Sequence, residues 1–414
     1  MKTAEDNERR AIISRPAFAA QVGRIPILDA TLDVVAYELV FRDGEAEPDA
    51  LICGDFAAAK VFWNAFIEMG LETVTECKHA LVHVTPTFVE AGCCRIFEPR
   101  DTALVVTAEH ASDFKAALRL ADLAALGFGI VVEGLAPGGA VPGVRPIELL
   151  KVDVRGMSPQ HLRSTVEAAR ENAAHVMAAG IETRALFEAA RAAGFTRFQG
   201  RFLFEPEIMA VKSLPADAVA RLRLLNVLNQ PEIDTDELER VIAQDLPLSY
   251  RLLRYLNSSL FSFSCKVESI RHALLLLGPK WVKAWANLVV LAGFSGANDA
   301  IFATAMTRAR HAELMAARAG DVRTDVPHTA GLFSLLGVFL HCSLPDALAL
   351  LSLSQELQAA LLAHEGRVGE ILRCVLEYES GQVGEARCLG LDGAAVSEAY
   401  VEALRWTSEV RGAL

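Results

Sequence analysis

The chain has no C-x-x-C pair. Its eight cysteines, Cys53, Cys77, Cys93, Cys94, Cys265, Cys342, Cys374 and Cys388, are scattered, and the closest two are adjacent, which does not suit a zinc knuckle. They read as small buried hydrophobes in a cytoplasmic protein, with no support for a metal or redox role. Positive charge is also short: 40 Lys and Arg stand against 52 Asp and Glu, a net charge of −12. That argues against a broad electrostatic surface for nucleic acid and leaves room for a local basic cleft; such a role would need Arg221, Arg223, Arg251, Arg254 and Lys266 gathered on one face. Long apolar runs are missing too. AGLFSLLGVFL (330–340) has 11 residues before His341, well short of the ~20 needed to span a membrane, and reads as a buried helix. The opening MKTAEDNERRAIISR mixes both charge signs around no apolar core, so it is not read as a secretory signal.

What is present fits a soluble globular protein. Hydrophobic residues make up 52% and charged residues 22% of 414 positions, enough chain for two domains with a full core each. Two textures divide it. From about 16 to 206, eight short β-rich runs (RIPILD, VVAYELVF, HALVHVT, TALVVTA, GIVVEG, LLKVDV, HVMAAGI, FTRFQGRF) alternate with helical stretches such as FAAAKVFWNAFIEMG and ETRALFEAARAAG. Alternation of this kind predicts parallel strands with crossover helices, in an α/β barrel or a doubly wound sheet, and eight runs in under 200 residues favour a compact barrel with shortened helices. From about 207 onward the periodicity is helical only, as in Val219, Leu222, Leu225 and Leu228. Asp234 and Glu237 predict a capping box at the head of one helix. The fold class is therefore α/β plus all-α, divided near EPEIMAVKSLPAD (205–217).

Three short segments carry chemistry. VVAYELVFR (34–42) holds Glu38 and Arg42, KVD (151–153) holds Lys151 and Asp153, and FQGRFLFEP (198–206) holds Gln199. Each is weak alone, but their order and their place at strand ends make a set. With them the first half resembles the EAL domain of cyclic di-GMP phosphodiesterases, a TIM-like barrel, in the short form fused to an HDOD domain. DLPLSYRLLRYLNSSLF (245–261), SIRHALLLLG (269–278) and TAGLFSLLG (329–337) resemble HDOD, an all-helical relative of the HD phosphohydrolases. The resemblance covers 16–206 for the barrel and 207–385 for the HDOD bundle, with 386–414 as a helical extension.

The resemblance implies a metal site and shows it degraded. Glu38 and Arg42 fill the places of a metal carboxylate and a phosphate-holding arginine. His83 stands where an asparagine ligand belongs, Val106 and Ala179 where glutamates belong, and Glu133–Gly134 where paired aspartates belong. Glu109, Lys151, Asp153, Glu182 and Gln199 keep family positions. Two hard cations clamping a phosphodiester need several oxygen ligands carrying negative charge, and Val, Gly and Ala supply neither. In the second half the metal-binding His–Asp pair of HD enzymes reads Ser334–Leu335, leaving His311 without ligand partners. The retained residues also have structural readings: Glu38 and Arg42 pairing across the mouth, Lys151 pairing with Glu38 or Glu133 in place of the metals, His83 a satisfied barrel histidine. The resemblance thus implies a cytoplasmic, catalytically inactive adaptor without metal or cofactor. It would contact other signalling proteins that control motility, attachment or virulence, with homodimerisation through the EAL half. Two alternatives stay open: a receptor that holds cyclic di-GMP through Arg42, Lys151 and Gln199, and a residual phosphodiesterase. PKWVKAWANLVVLAGF (279–294), with Trp281 and Trp285 one turn apart, is the candidate partner surface.

Overall fold

The computed structural model describes residues 21–42, 74–90, 92–134, 147–170, 173–204, 216–230, 233–257, 266–293, 299–321, 323–380 and 389–413. The helix expected from FAAAKVFWNAFIEMG lies outside them, as does most of the 205–217 segment.

All eight β-rich runs form strands: β1 (Gln21–Leu28), β2 (Val34–Arg42), β3 (His79–His83), β4 (Thr102–Thr107), β5 (Gly129–Glu133), β6 (Ile147–Asp153), β7 (Ala173–Ala179) and β8 (Arg197–Phe198). They close into one barrel in sequence order. One expectation is corrected: β1 runs antiparallel to both β2 and β8, while the remaining neighbours are parallel. The turn at Asp29–Asp33 is too short for a crossover and makes a hairpin, with Asp29 Oδ1 accepting from the backbone N–H groups of Thr31 and Asp33. The barrel helices are α1 (Pro86–Glu90), α2 (Ala108–Ser112), α3 (Phe114–Ala125), α4 (Pro159–Arg170) and α5 (Arg184–Ala193).

Side chains alternate between lumen and outer layer, as the pleat requires. Ile27, Ala36, Leu81, Ala103, Val105, Val131, Leu149 and Met177 pack together as an apolar plug inside the barrel. Tyr37, Leu39, Val82, Leu104, Val106, Ile130, Val132, Leu150, Val176 and Phe198 face the other way, into the larger core beneath the helices. β1 meets β8 at the single pair Leu28–Phe198. Beside this seam Phe187 of α5 stacks on Phe202 at 4.7 Å and meets Phe198 edge-on at 4.8 Å. Gly200 lies so close to the preceding loop that a Cβ there would stand 1.9 Å from the carbonyl oxygen of Ile181. Only glycine fits.

The second half is helical throughout its described residues: α6 (Ala216–Leu228), α7 (Thr235–Gln244), α8 (Leu246–Leu256), α9 (Ile270–Leu277), α10 (Pro279–Ala292), α11 (Asp299–Arg318), α12 (Asp325–Phe333), α13 (Leu336–Leu340), α14 (Leu344–Ala349), α15 (Gln355–Ala363), α16 (Gly366–Glu379) and α17 (Gly393–Ala413). Asp234 caps α7 by accepting from the Glu237 N–H at 2.7 Å, but the Glu237 carboxylate pairs with Arg240 rather than turning back, so half of the predicted box forms. The apolar run at 330–340 is broken between α12 and α13, and no helix among the described residues is long and apolar enough to cross a membrane. Gly331 lets α12 touch α11: a Cβ there would lie 2.5 Å from the Arg308 carbonyl oxygen. Trp285 is buried and Trp281 packs against the same core, so the expected partner surface on α10 is part of the interior. Cys77, Cys93, Cys94 and Cys342 are free thiols, while Cys374 is disulfide-bonded, a departure from the all-thiol expectation.

The two halves dock through α17. Glu76, just before β3, takes Arg24 of β1 at 2.8 Å on one carboxylate oxygen and Arg411 of α17 on the other. Arg411 also pairs with Asp299 at the head of α11. The Arg24 guanidinium lies 4.3 Å over the Tyr37 ring. Burial alone would push the Glu76 carboxyl up, but the charges of Arg24 and Arg411 hold it below its ordinary range. A buried charge that loses its partner is costly, so Glu76→Gln should destabilise the chain by about 3 kcal/mol and speed hydrogen exchange along α17. Unchanged exchange there would show that this cluster does not dock the domains.

Candidate functional site

Two residues beyond the plug on four strands, the lumen turns polar: Ala36 leads to Glu38, Leu81 to His83, Val131 to Glu133 and Leu149 to Lys151, and Gln199 joins them just after β8. This tier is the site. Glu38 is 2% exposed, yet its carboxylate is saturated. One oxygen takes His83 Nε2 at 2.5 Å and Lys151 Nζ at 2.5 Å, and the other accepts from the Gln199 amide. Glu133 supports from the side, 3.3 Å from Lys151 Nζ and 3.5 Å from His83 Nδ1. Burial pushes the Glu38 carboxyl up, but the His83 hydrogen bond and the Lys151 charge outweigh it, and the group is held well below the usual carboxylate range. Lys151 is shifted the opposite way: burial lowers its pKa, and the Glu38 and Glu133 charges raise it further.

Other expected site residues are placed apart. Val106 points outward into the helix-covered core, because a one-residue change of register reverses the face. The lumen position at that height belongs to Thr107, paired with Glu133 across β4–β5. Sequence reading missed it, although counting two from Val105 would have found it. The Thr107 hydroxyl accepts from the His110 N–H and so caps α2. Ala179 is buried and offers no ligand atom. Gly134 ends β5 at φ 73°, a left-handed position that glycine fills without strain. Asp153, at the mouth, is gripped by Arg155 at 2.9 Å, which holds its carboxyl low. Glu109 and Glu182 are exposed. The side chain of Arg42 lies outside the described residues.

In the helical half the three expected positions are not brought together as a ligand set. His311 is 1% exposed, its Nε2 lies 3.2 Å from the Val396 carbonyl oxygen, and burial pushes it down to about 3. Ser334 donates to the Gly331 carbonyl and accepts from Arg308, while Leu335 is core.

The family resemblance implies two metal ions, and the donor set tests that. Glu38, His83 and Glu133 offer ligand atoms within 4.8 Å of one another, enough for one ion. The lumen positions at Thr107 and Ala179 add no carboxylate for a second, so the described residues do not fit a two-ion centre. The cation already between Glu38 and Glu133 is Lys151.

This cluster makes a pH-dependent contribution to stability. The depressed Glu38 contributes above its unfolded pKa of about 4.3, and that contribution is lost as pH falls through the folded value. The raised Lys151 contributes below about 10.4 and is lost as pH rises through its folded value. Lys151→Met should therefore cost about 3 kcal/mol at neutral pH by stranding Glu38. The double variant Glu38→Gln with Lys151→Met should cost less than Lys151→Met alone. Urea titrations from pH 3 to 11 would check this; a single-variant cost that does not change on acidification would refute the assignment.

Comparison with known proteins matches the helical half to one family and finds relatives along most of the chain. Residues 214–386 match the family model of the HDOD domain. The Bacillus subtilis protein YuxH is 27% identical over 403 residues, covering 93% of this chain and 97% of that one. The cyclic di-GMP phosphodiesterase CdgJ of Vibrio cholerae is 28% identical over 410 residues, covering 95% and 93%. Among solved structures, the FimX EAL domain from Pseudomonas aeruginosa bound to c-di-GMP matches 45% of this chain and 89% of its own, at 17% identity and a TM-score of 0.37. The chain thus joins a closed eight-stranded barrel to a helical region that matches the HDOD domain.

Proposed function

We propose that this chain works in cyclic di-GMP signalling as an adaptor that does not hydrolyse the nucleotide, with its barrel and HDOD domain serving as surfaces for other signalling proteins. The observation that carries the reading is the donor set around Glu38: Glu38, His83 and Glu133 offer ligand atoms for one ion, and Thr107 and Ala179 add no carboxylate for a second. Lys151, His83 and Gln199 leave the Glu38 carboxylate fully engaged. Hydrolysis of a phosphodiester at neutral pH asks for a metal-activated water and a metal-clamped phosphate. The name of the Vibrio cholerae relative supports the link to cyclic di-GMP.

A second reading has its own support. The same relative is named a phosphodiesterase, and Glu38, His83 and Glu133 suit a single ion if Lys151 swings aside. Imidazole beside two carboxylates favours a borderline transition metal over Mg²⁺. The deciding experiment incubates the purified full-length chain with cyclic di-GMP and Mg²⁺, Mn²⁺ or Zn²⁺, and resolves the nucleotides by chromatography. The adaptor reading expects intact cyclic di-GMP under every condition. Linear product that disappears in Glu38→Gln would overturn it in favour of hydrolysis.

A further inference from the structure

We propose that the cavity between the barrel and the HDOD domain is a second ligand site, built to take a phosphate ester of about mononucleotide size. The cavity measures about 470 Å³, within the ~300–1,000 Å³ range of small-molecule sites. It opens where β1 and β8 part beyond their single pair, and α11, α16 and α17 cover the gap. Arg24, Arg155 and Arg201 line it from the barrel and Arg308 from α11, against one carboxylate, Glu379. Three of the four are paired with carboxylates, Glu76, Asp153 and Glu379, so the excess positive charge at this wall comes from Arg201, in a chain of net charge −12.

The four arginines are not equivalent. Arg24 is held by Glu76. Arg308 is clamped by Glu379 at 2.6 and 2.8 Å and by Ser334, with its guanidinium 5.4 Å over the Phe204 ring. These two form a fixed floor. Arg155 is held by Asp153, but both side chains are more than half exposed, so exchanging that partner for a phosphate costs little. Arg201 is exposed and makes no ion pair with any described residue. Arg201 therefore offers one fork at the rim, and a second comes from Arg155 only when a phosphate displaces Asp153, on which both its arms are engaged; paired guanidinium donors suit phosphate oxygens. Deeper in, Phe204, Leu376, Tyr400 and Leu404 offer an apolar and aromatic wall for the rest of an ester. Gln199, which also lines the cavity, is the residue that holds Glu38. A ligand here would touch both domains and the polar tier together. The inference goes beyond the adaptor reading and stands whether or not cyclic di-GMP is hydrolysed.

The test titrates the full-length protein with adenosine and guanosine 5′-monophosphates, and separately with inorganic phosphate and with guanosine, by calorimetry and thermal shift. At least one nucleotide should bind saturably and raise Tm, more tightly than phosphate, while guanosine should not bind. Arg201→Ala and Arg155→Ala, both at exposed positions, should each weaken nucleotide binding about tenfold without changing the Tm of the free protein. Thr304→Phe, which fills the cavity from α11, should abolish it. Absence of nucleotide binding to folded protein at millimolar concentration would overturn the proposal. So would binding untouched by all three variants, or inorganic phosphate binding as tightly as the nucleotides.

Discussion

A carboxylate sealed inside a barrel has to be answered by positive charge and donors at the same depth, and Glu38 sets that constraint for the rest of the first domain. Removing an ionised group from water without compensation would cost far more than a small domain's net stability. Lys151 supplies the charge, and His83 and Gln199 supply the remaining donors. Each helper has its own support. Glu133 stands beside both Lys151 and His83. Gln199 reaches Glu38 where the chain leaving β8 passes so close to Ile181, just after β7, that only Gly200 fits. The FQG sequence is thus explained by the geometry of one hydrogen bond, whether or not a ligand ever binds there.

The same strand carries the second constraint. Tyr37 and Glu38 are consecutive and therefore face opposite sides of β2. Glu38 looks into the polar tier, while Tyr37 looks out beneath Arg24, whose partner Glu76 reaches Arg411 on the last helix. The candidate site and the domain contact are two faces of one short piece of sheet. Any shift of β2 along its register would disturb both, since β1 and β2 pair continuously from Gln21–Arg42 to Ile27–Ala36. The physical connection between what happens in the lumen and how the helical domain sits is therefore a shared backbone.

Much of this was legible in the sequence, and the misses have physical causes. All eight strands could be read because β-branched runs with turn residues between them are a local signal. The reversed direction of β1 could not, because hydrophobic alternation looks the same in either direction; only the short Asp29–Asp33 turn hinted at it. Val106 was misplaced because facing depends on exact parity, and one residue reverses it. Trp281 and Trp285 could be read as a surface pair or as core, because helical spacing does not say which face is covered; the structure has them in the core. The disulfide at Cys374 gave no signal in cysteine spacing.

Contacts between remote parts of the chain were the least legible. Glu76 and Arg411 are separated by 335 positions, and nothing local to either marks it as a partner of the other. Glu76 sits in a turn and Arg411 in the last turn of a helix, both ordinary places for charge. Their meaning appears only when the barrel closes and α17 comes to rest against β1. The same holds for the arginines of the interdomain cavity, which come from four separate elements and have no common spacing. The expectation of a degraded metal site came from residues missing at places that the family pattern supplies. A site formed between two domains has no such pattern to be read against, and its chemistry exists only in the folded arrangement.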